Sequence, residues 1–426
     1  MTGTTYAVVG GGIVGTSVAY HLSERTDESV TLFERGSTGG ETTDASMAML
    51  GRSGDPEMAR MKGYAMRLYN EFMADPVGSD SLAFQPTGSV SVATTDEGAA
   101  SLADRGEADR DDESGAGGDT DVDADPGADA DPGADADVDA DTDEAVDDAS
   151  EPVAYYDGEA VHSSMVFPTL ATEDVTGVRH EPAKGYTTPR QLAREFAARA
   201  RSNGADVREG CPVEDVLVEG GAVTGLVVAG ERVDADTVVC AAGPWNVELA
   251  RRAGVDLPVR HSLAPILELD PPASAPHPIP YTKHHESGIY FRSTPRGTVL
   301  VGRHTTESGP FEEIERYDPD DVGPGVPASF RERVDATVER LLPWLSESEE
   351  CGERLAVGSR TPDAWPVLGW TDVAGFAVAA FHSQGIQLAP AAGRILARQL
   401  VDGDPTEYYD SVSVSRFDGY TDGRDD

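Results

Sequence analysis

The residues best suited to chemistry lie within the first 34 positions. Gly10-Gly11-Gly12-Ile13-Val14-Gly15 stands between an apolar run, Tyr6 to Val9, and a helix-forming stretch from Thr16 to Ser23. A second apolar run, Val30 to Phe33, ends in Glu34. The order is strand, glycine turn, helix, strand, acid. Gly10 permits the tight turn, Gly12 lets a pyrophosphate approach the backbone, and Gly15 brings the helix close to the strand. The helix N-terminus presents N–H groups and partial positive charge to phosphates. Glu34 is placed to accept from ribose hydroxyls. Together these features read as an adenine dinucleotide site. They do not separate FAD from NAD, because both carry the same ADP half.

Other reactive groups are sparse. No Ser/His/Asp or paired-carboxylate constellation is visible. Cys211, Cys240 and Cys351 are scattered, with no CxxC and no Cys/His cluster, so neither a disulfide framework nor a metal site is expected. Gly288 to Arg292 alternates like a strand, which puts Tyr290 and Arg292 on one face. Phe381-His382-Ser383-Gln384-Gly385 joins a buried strand, Gly375 to Ala380, to a helix from Ile386 to Leu400. A helix N-terminus is expected there.

The elements that position these groups are legible in outline. Asp55 is an N-cap and Pro56 the first residue of a helix to about Phe72, with Met58, Met61, Ala65, Leu68 and Phe72 on one face. Thr188-Pro189 opens a helix ending before Gly204, and short strands run from Val207 to Val239. Asp236 to Gly243 is an apolar strand breaking on small residues, and Pro244-Trp245-Asn246 opens the next helix. Strands are expected from Leu257 to Gly302 and a helix from Phe330 to Leu342.

The 426 residues suggest two or three domains. The formal net charge is −44, and lysine occurs only at 62, 184 and 283. Residues 101–150 hold twenty acids against Arg105 and Arg110, which leaves −26 on the rest. Such a surface repels nucleic acid and anionic membrane. An acidic, lysine-poor chain is expected from a salt-accumulating halophile, where dense counterions screen the self-repulsion. The Ala-Asp repeats of 101–150 carry too little apolar surface for a core and read as a disordered acidic insertion. No apolar run reaches a membrane span's length and no leader is visible, so the expected location is the cytoplasm. Nothing specifies an oligomeric state.

Taken together, the pattern resembles the FAD-dependent D-amino acid oxidase-like oxidoreductases, which include glycine oxidase, sarcosine oxidase, dimethylglycine dehydrogenase and D-amino acid dehydrogenase. The resemblance spans nearly the whole chain outside 101–150. It rests on the glycine motif with Glu34, on Val238 to Asn246, and on Gly288 to Arg292 with Gly302. It rests also on Arg360-Thr361-Pro362-Asp363 through Gly369, and on Gly385 to Pro390. It implies an α/β fold in which a Rossmann-like FAD-binding domain (1–85, 186–255 and 352–426) interleaves with a mixed β-sheet substrate domain of α+β type. The substrate domain would take 86–100, 151–185 and 256–351.

The same resemblance implies FAD contacts at Gly10, Gly12, Ile13, Val14, Gly15, Glu34, Arg35, Ala45, Ser46, Met47, Val213, Ala242, Gly243, Trp245, Arg360, Ser383, Gln384, Gly385, Ile386 and Gln387. No Cys stands just ahead of Thr361-Pro362-Asp363 and no His lies between Glu34 and Gly51, so the FAD is expected to be non-covalent. The implied reaction oxidises the C–N bond of an amino acid or N-methyl amino acid. Electrons would pass to oxygen or an external acceptor. Arg360 is the expected carboxylate anchor, with Tyr290 as a second donor and Arg292 as runner-up. A structural Arg360 paired with Asp363 or Glu353 is the alternative. His382 either adds positive charge near the flavin or only packs. The competing readings are a flavoprotein subunit of a larger amine dehydrogenase and an NAD(P)-dependent dehydrogenase.

Overall fold

The computed structural model describes residues 3–77, 82, 84–104, 153–163, 169–276, 278–303, 318–323, 325–404, 406 and 408–419. Its first sheet has six strands in the order Val367–Trp370, Phe376–Ala380, Thr237–Cys240, Thr5–Val9, Ser29–Phe33, Asp206–Arg208. All pair in parallel except the edge strand Val367–Trp370. The inner strands are buried on both faces, which is why they read as continuous apolar runs rather than alternating ones. Helices Ile13–Arg25, Pro189–Ser202 and Gly385–Ala397 cover one face, and Pro56–Ala74 packs against the last of them. Asp55 caps this fourth helix by accepting from Met58 N at 2.9 Å, and Met58 and Met61 are core residues as expected. A three-stranded meander, Val213–Glu219, Ala222–Val228 and Glu231–Asp234, packs with helix Asn246–Arg252 against the other face.

The second sheet has eight strands, ordered Glu349–Arg360, Arg260–Asp270, Val299–Arg303, Ile289–Ser293, Tyr281–His284, Ser89–Ala93, Gly177–Glu181, Ala154–Asp157. Its two faces differ. Val90, Val92, Val178, Phe291, Val299 and Val301 form an apolar face packed on helix Ala328–Leu341. The alternate positions carry Ser89, Ser91, Arg179, Glu181, Lys283, Tyr290 and Arg292. Strand alternation therefore delivers one polar wall, and that wall meets the glycine loop across a cavity.

Two sequence expectations change. Residues 101–104 are helical rather than part of the acidic insertion, and Leu102 is buried with Ala93 and Ala99. The stretch Ala99 to Ala103 still has apolar helix-forming side chains, and the composition turns acidic only after it. Residues 105–150 lie outside the described residues. The domain boundary expected at 352 falls inside the strand Glu349–Arg360, which pairs with Arg260–Asp270 along its whole length. Cys351-Gly352 looks like a break, but a bulge between Glu268 and Leu269 absorbs it and the ladder continues.

Candidate active site

One cavity of about 1110 Å³ joins the two sheets. It exceeds the roughly 300–1,000 Å³ of ordinary ligand pockets, so it has room for an extended dinucleotide and a small second molecule. The glycine loop forms one end. Gly10 has φ +108°, and a Cβ there would sit 2.5 Å from Ala241 O. A Cβ on Gly15 would sit 1.9 Å from Gly10 O, so Gly15 serves packing and does not itself line the cavity. Gly12, Ile13 and Val14 do line it, and Ile13 N donates to Thr43 Oγ1 at 3.1 Å. The helix N-terminus therefore offers its dipole and the other N–H groups of its first turn to a phosphate. Glu34 ends the second strand, with Oε2 accepting from Gly11 N and Oε1 from Gly36 N, both at 2.6 Å.

Buried Asn246 shapes the neighbouring loop. Its Oδ1 accepts from Ala242 N at 2.6 Å and its Nδ2 donates to Ala379 O at 2.9 Å, holding Ala242 and Gly243 against the cavity. The Arg35 guanidinium lies 3.7 Å over the Trp245 ring, and both residues bond Asp320. Val213 lines this same cavity. So do Ala45, Ser46 and Met47, and Ser46 Oγ accepts from Ala48 N at 2.9 Å.

The helix Gly385–Ala397 begins at the cavity, where Ser383, Gln384, Gly385, Ile386 and Gln387 all contribute. Gln387 donates to Gly51 O. Gln384 Oε1 is buried and has no hydrogen-bond partner among the described residues. Across from this helix start stands Tyr290, whose ring lies against Gly302 and 5.5 Å from the Tyr281 ring. Burial holds both hydroxyls protonated, their pKa values pushed well above the ordinary 10, so both remain donors at working pH.

The other expected site residues are placed differently. Arg292, on the same strand face as Tyr290, is buried and does not line the cavity; it lies 4.2 Å over the Tyr186 ring, and burial pushes its pKa down to about 10. Arg360 follows the lining run Ala356 to Ser359 but is not itself a lining residue; it is half-buried. The carboxylates considered as its structural partners are engaged elsewhere, Asp363 with Arg416 and Glu353 with Arg331, each at 2.7 Å. His382 does not line the cavity either. Burial and then the Arg360 charge push its pKa down to about 4, and its Nδ1 accepts from Thr361 N at 3.1 Å. The lowered pKa favours the packing alternative for His382 over an added positive charge. Sequence reasoning missed Lys62, Lys184, Lys283, Arg179 and Tyr281, all of which line the cavity.

A glycine turn with no room for a Cβ at Gly10 or Gly15, a helix N-terminus at the cavity, a carboxylate just after the second strand and the buried Gln384 oxygen all fit a bound FAD. Among the described lining residues there is no Cys or His, so none offers a thioether or imidazole link to the flavin. Among the described residues no group could hold a metal ion, and no helix is long and apolar enough to cross a membrane.

Fold and site together define a dinucleotide-binding protein whose second sheet and glycine loop line one cavity. Residues 5–399 match the FAD dependent oxidoreductase (DAO) family, and the chain belongs to it. FAD is accordingly the cofactor, which retires the nicotinamide alternative. The chain is 28% identical to 4-methylaminobutanoate oxidase (formaldehyde-forming) of Paenarthrobacter nicotinovorans, over 98% of this chain and 46% of that protein. It is 25% identical to glycine oxidase of Geobacillus kaustophilus, over 94% of each. The chain thus spans about half the length of the first of these relatives and nearly all of the second. In fold it is similar to L-proline dehydrogenase from P. horikoshii, with TM-score 0.76, 18% identity and 98% of both chains covered.

Proposed function

We propose that this chain oxidises the C–N bond of an amino acid or N-methyl amino acid. The observation that carries the reading is the single cavity running from Gly10 and Gly12, past Gly385, to Tyr290 and Lys283. A dinucleotide cofactor and a small amine have room in one cavity there. The names of the relatives, oxidases of glycine and of an N-methylated amino acid, support the substrate class. When bound, FAD supplies the two-electron acceptor for the hydride leaving the carbon beside nitrogen.

The chain's own residues do the rest. The glycine loop, Glu34, the Arg35–Trp245 stack and the 45–47 loop hold the cofactor. The helix start at Gly385 brings partial positive charge to the cavity wall. The Tyr290 hydroxyl donates to the substrate's carboxylate. Arg360 is the anchor we propose for that carboxylate, because a planar guanidinium binds it with two parallel hydrogen bonds. It directly follows Ala356 to Ser359, which line the cavity. No side chain acts as base. Burial would raise Glu181, but Lys184 and Arg179 outweigh it and hold it near pKa about 2. The amine therefore enters neutral, and the imine it becomes hydrolyses in water.

A second reading, a flavoprotein subunit of a larger dehydrogenase, is favoured by the half-length match to 4-methylaminobutanoate oxidase. Chains that co-purify with this one would support it. The test of the main reading is anaerobic bleaching of the bound flavin by glycine, sarcosine, dimethylglycine, D-amino acids and proline.

A further inference from the structure

Pro390 sits inside the helix Gly385–Ala397, little more than one turn beyond its start at the cavity. Proline has no N–H. The carbonyl four residues back, Ile386 O, therefore loses its donor within the helix, and the proline ring crowds that carbonyl as well. Ile386 is buried, so water does not readily supply the missing bond. A buried carbonyl left without a donor is strongly disfavoured.

The donor comes from another helix. Tyr69, fully buried on Pro56–Ala74, donates its hydroxyl to Ile386 O. Burial pushes the pKa of this hydroxyl up, so it keeps its proton at working pH. Its ring belongs to the apolar cluster of Ile13, Leu192, Phe196, Ile386 and Ala389. Two more side chains grip the same turn. Ser17, on the helix Ile13–Arg25, donates to Ala389 O at 2.8 Å, and Gln387 donates to Gly51 O. Neighbouring elements thus hold residues 385–389 where the helix's own ladder is interrupted. Gly385, Ile386 and Gln387 of this turn line the cavity, whereas Tyr69 does not.

We propose that Tyr69 is a positioning residue: its hydroxyl replaces the helix bond that Pro390 removes, and so fixes the first turn of this helix at the cofactor cavity. Tyr69 acts through Ile386 and touches no reacting atom. What it holds in place is a helix N-terminus, whose partial positive charge favours the added negative charge of a reduced flavin. This role concerns the cofactor alone, so it goes beyond the amine-oxidising reading and survives that reading's failure.

The test is a double-mutant cycle on the holoenzyme: wild type, Tyr69→Phe, Pro390→Ala and the double variant. Tyr69→Phe keeps the ring and removes only the donor, whereas Pro390→Ala restores the helix N–H. The deciding measurement is the reduction potential of the bound flavin against a reference dye, which needs no substrate. The rate of FAD release on dilution accompanies it. Tyr69→Phe should move the potential to a more negative value and speed FAD release about ten-fold, within the range for one buried acceptor left unpaired. Pro390→Ala should stay near wild type, and the double variant should resemble Pro390→Ala rather than Tyr69→Phe. An unchanged potential in Tyr69→Phe, even with a lower melting temperature, makes Tyr69 an ordinary core residue and overturns the proposal. Equal shifts from Tyr69→Phe with and without Pro390→Ala overturn it too, because the hydroxyl is then not standing in for the missing N–H. If Tyr69→Phe fails to load FAD, normal loading of the double variant supports the proposal, and failure of both overturns it.

Discussion

At the scale of single residues, Arg360 carries the sharpest prediction. Its structural alternatives are weakened because Asp363 and Glu353 are bonded to other arginines. Arg360→Ala should leave flavin content normal and weaken substrate or transition-state binding by about 2–5 kcal/mol. Arg360→Lys should recover only part, since Lys cannot make the two-pronged contact. Flavin content and anaerobic reduction rate, measured separately, check this. Unchanged reduction would remove Arg360 from the site. His382 makes a different prediction. Its folded pKa of about 4 lies below the ordinary 6.5, so the neutral ring contributes stability in full above pH 6.5 and loses it as pH falls toward 4. His382→Gln should therefore flatten the fall in stability across that window relative to wild type, by up to about one proton's worth of slope. Denaturant melts at pH 7, 5.5 and 4 measure it.

At the scale of elements, the strand–turn–helix of the N-terminus was legible because its signals are local. Apolar runs, glycines and an acid lie within 34 residues, and each has a single structural meaning there. Gly15→Ala tests that meaning. Its Cβ would land 1.9 Å from Gly10 O, forcing the helix off the strand. We expect a loss of about 1–3 kcal/mol and reduced FAD content, read by thermal melt and by the flavin-to-protein absorbance ratio. Tyr290 and Arg292 were correctly placed on one strand face by alternation, yet alternation says nothing of depth, and only Tyr290 reaches the cavity. The three lysines were visible as a rarity of composition. Their convergence depends on contacts between elements far apart in the chain, such as the register that sets Ser91 beside both Arg179 and Lys283, and no local pattern encodes that. The Arg35–Trp245 stack was hidden for the same reason. The position 352 given for a domain boundary falls inside the strand Glu349–Arg360, because a bulge carries the ladder through.

At the scale of the whole molecule, charge sets the behaviour. The chain outside residues 101–150 keeps a net −26, and its mutual repulsion is strongest when salt is dilute. Its melting temperature should rise from low to molar KCl, and a flat profile would contradict the halophile reading. The central claim is that the acidic shell encloses an amine-oxidising flavin site. The most direct test is anaerobic mixing of the purified holoenzyme with amino acids and N-methyl amino acids while following flavin absorbance. The account predicts bleaching of the oxidised flavin band by at least one of them, at a rate that rises with pH as the substrate ammonium loses its proton. A fully loaded flavin that no amine reduces at any pH would contradict it.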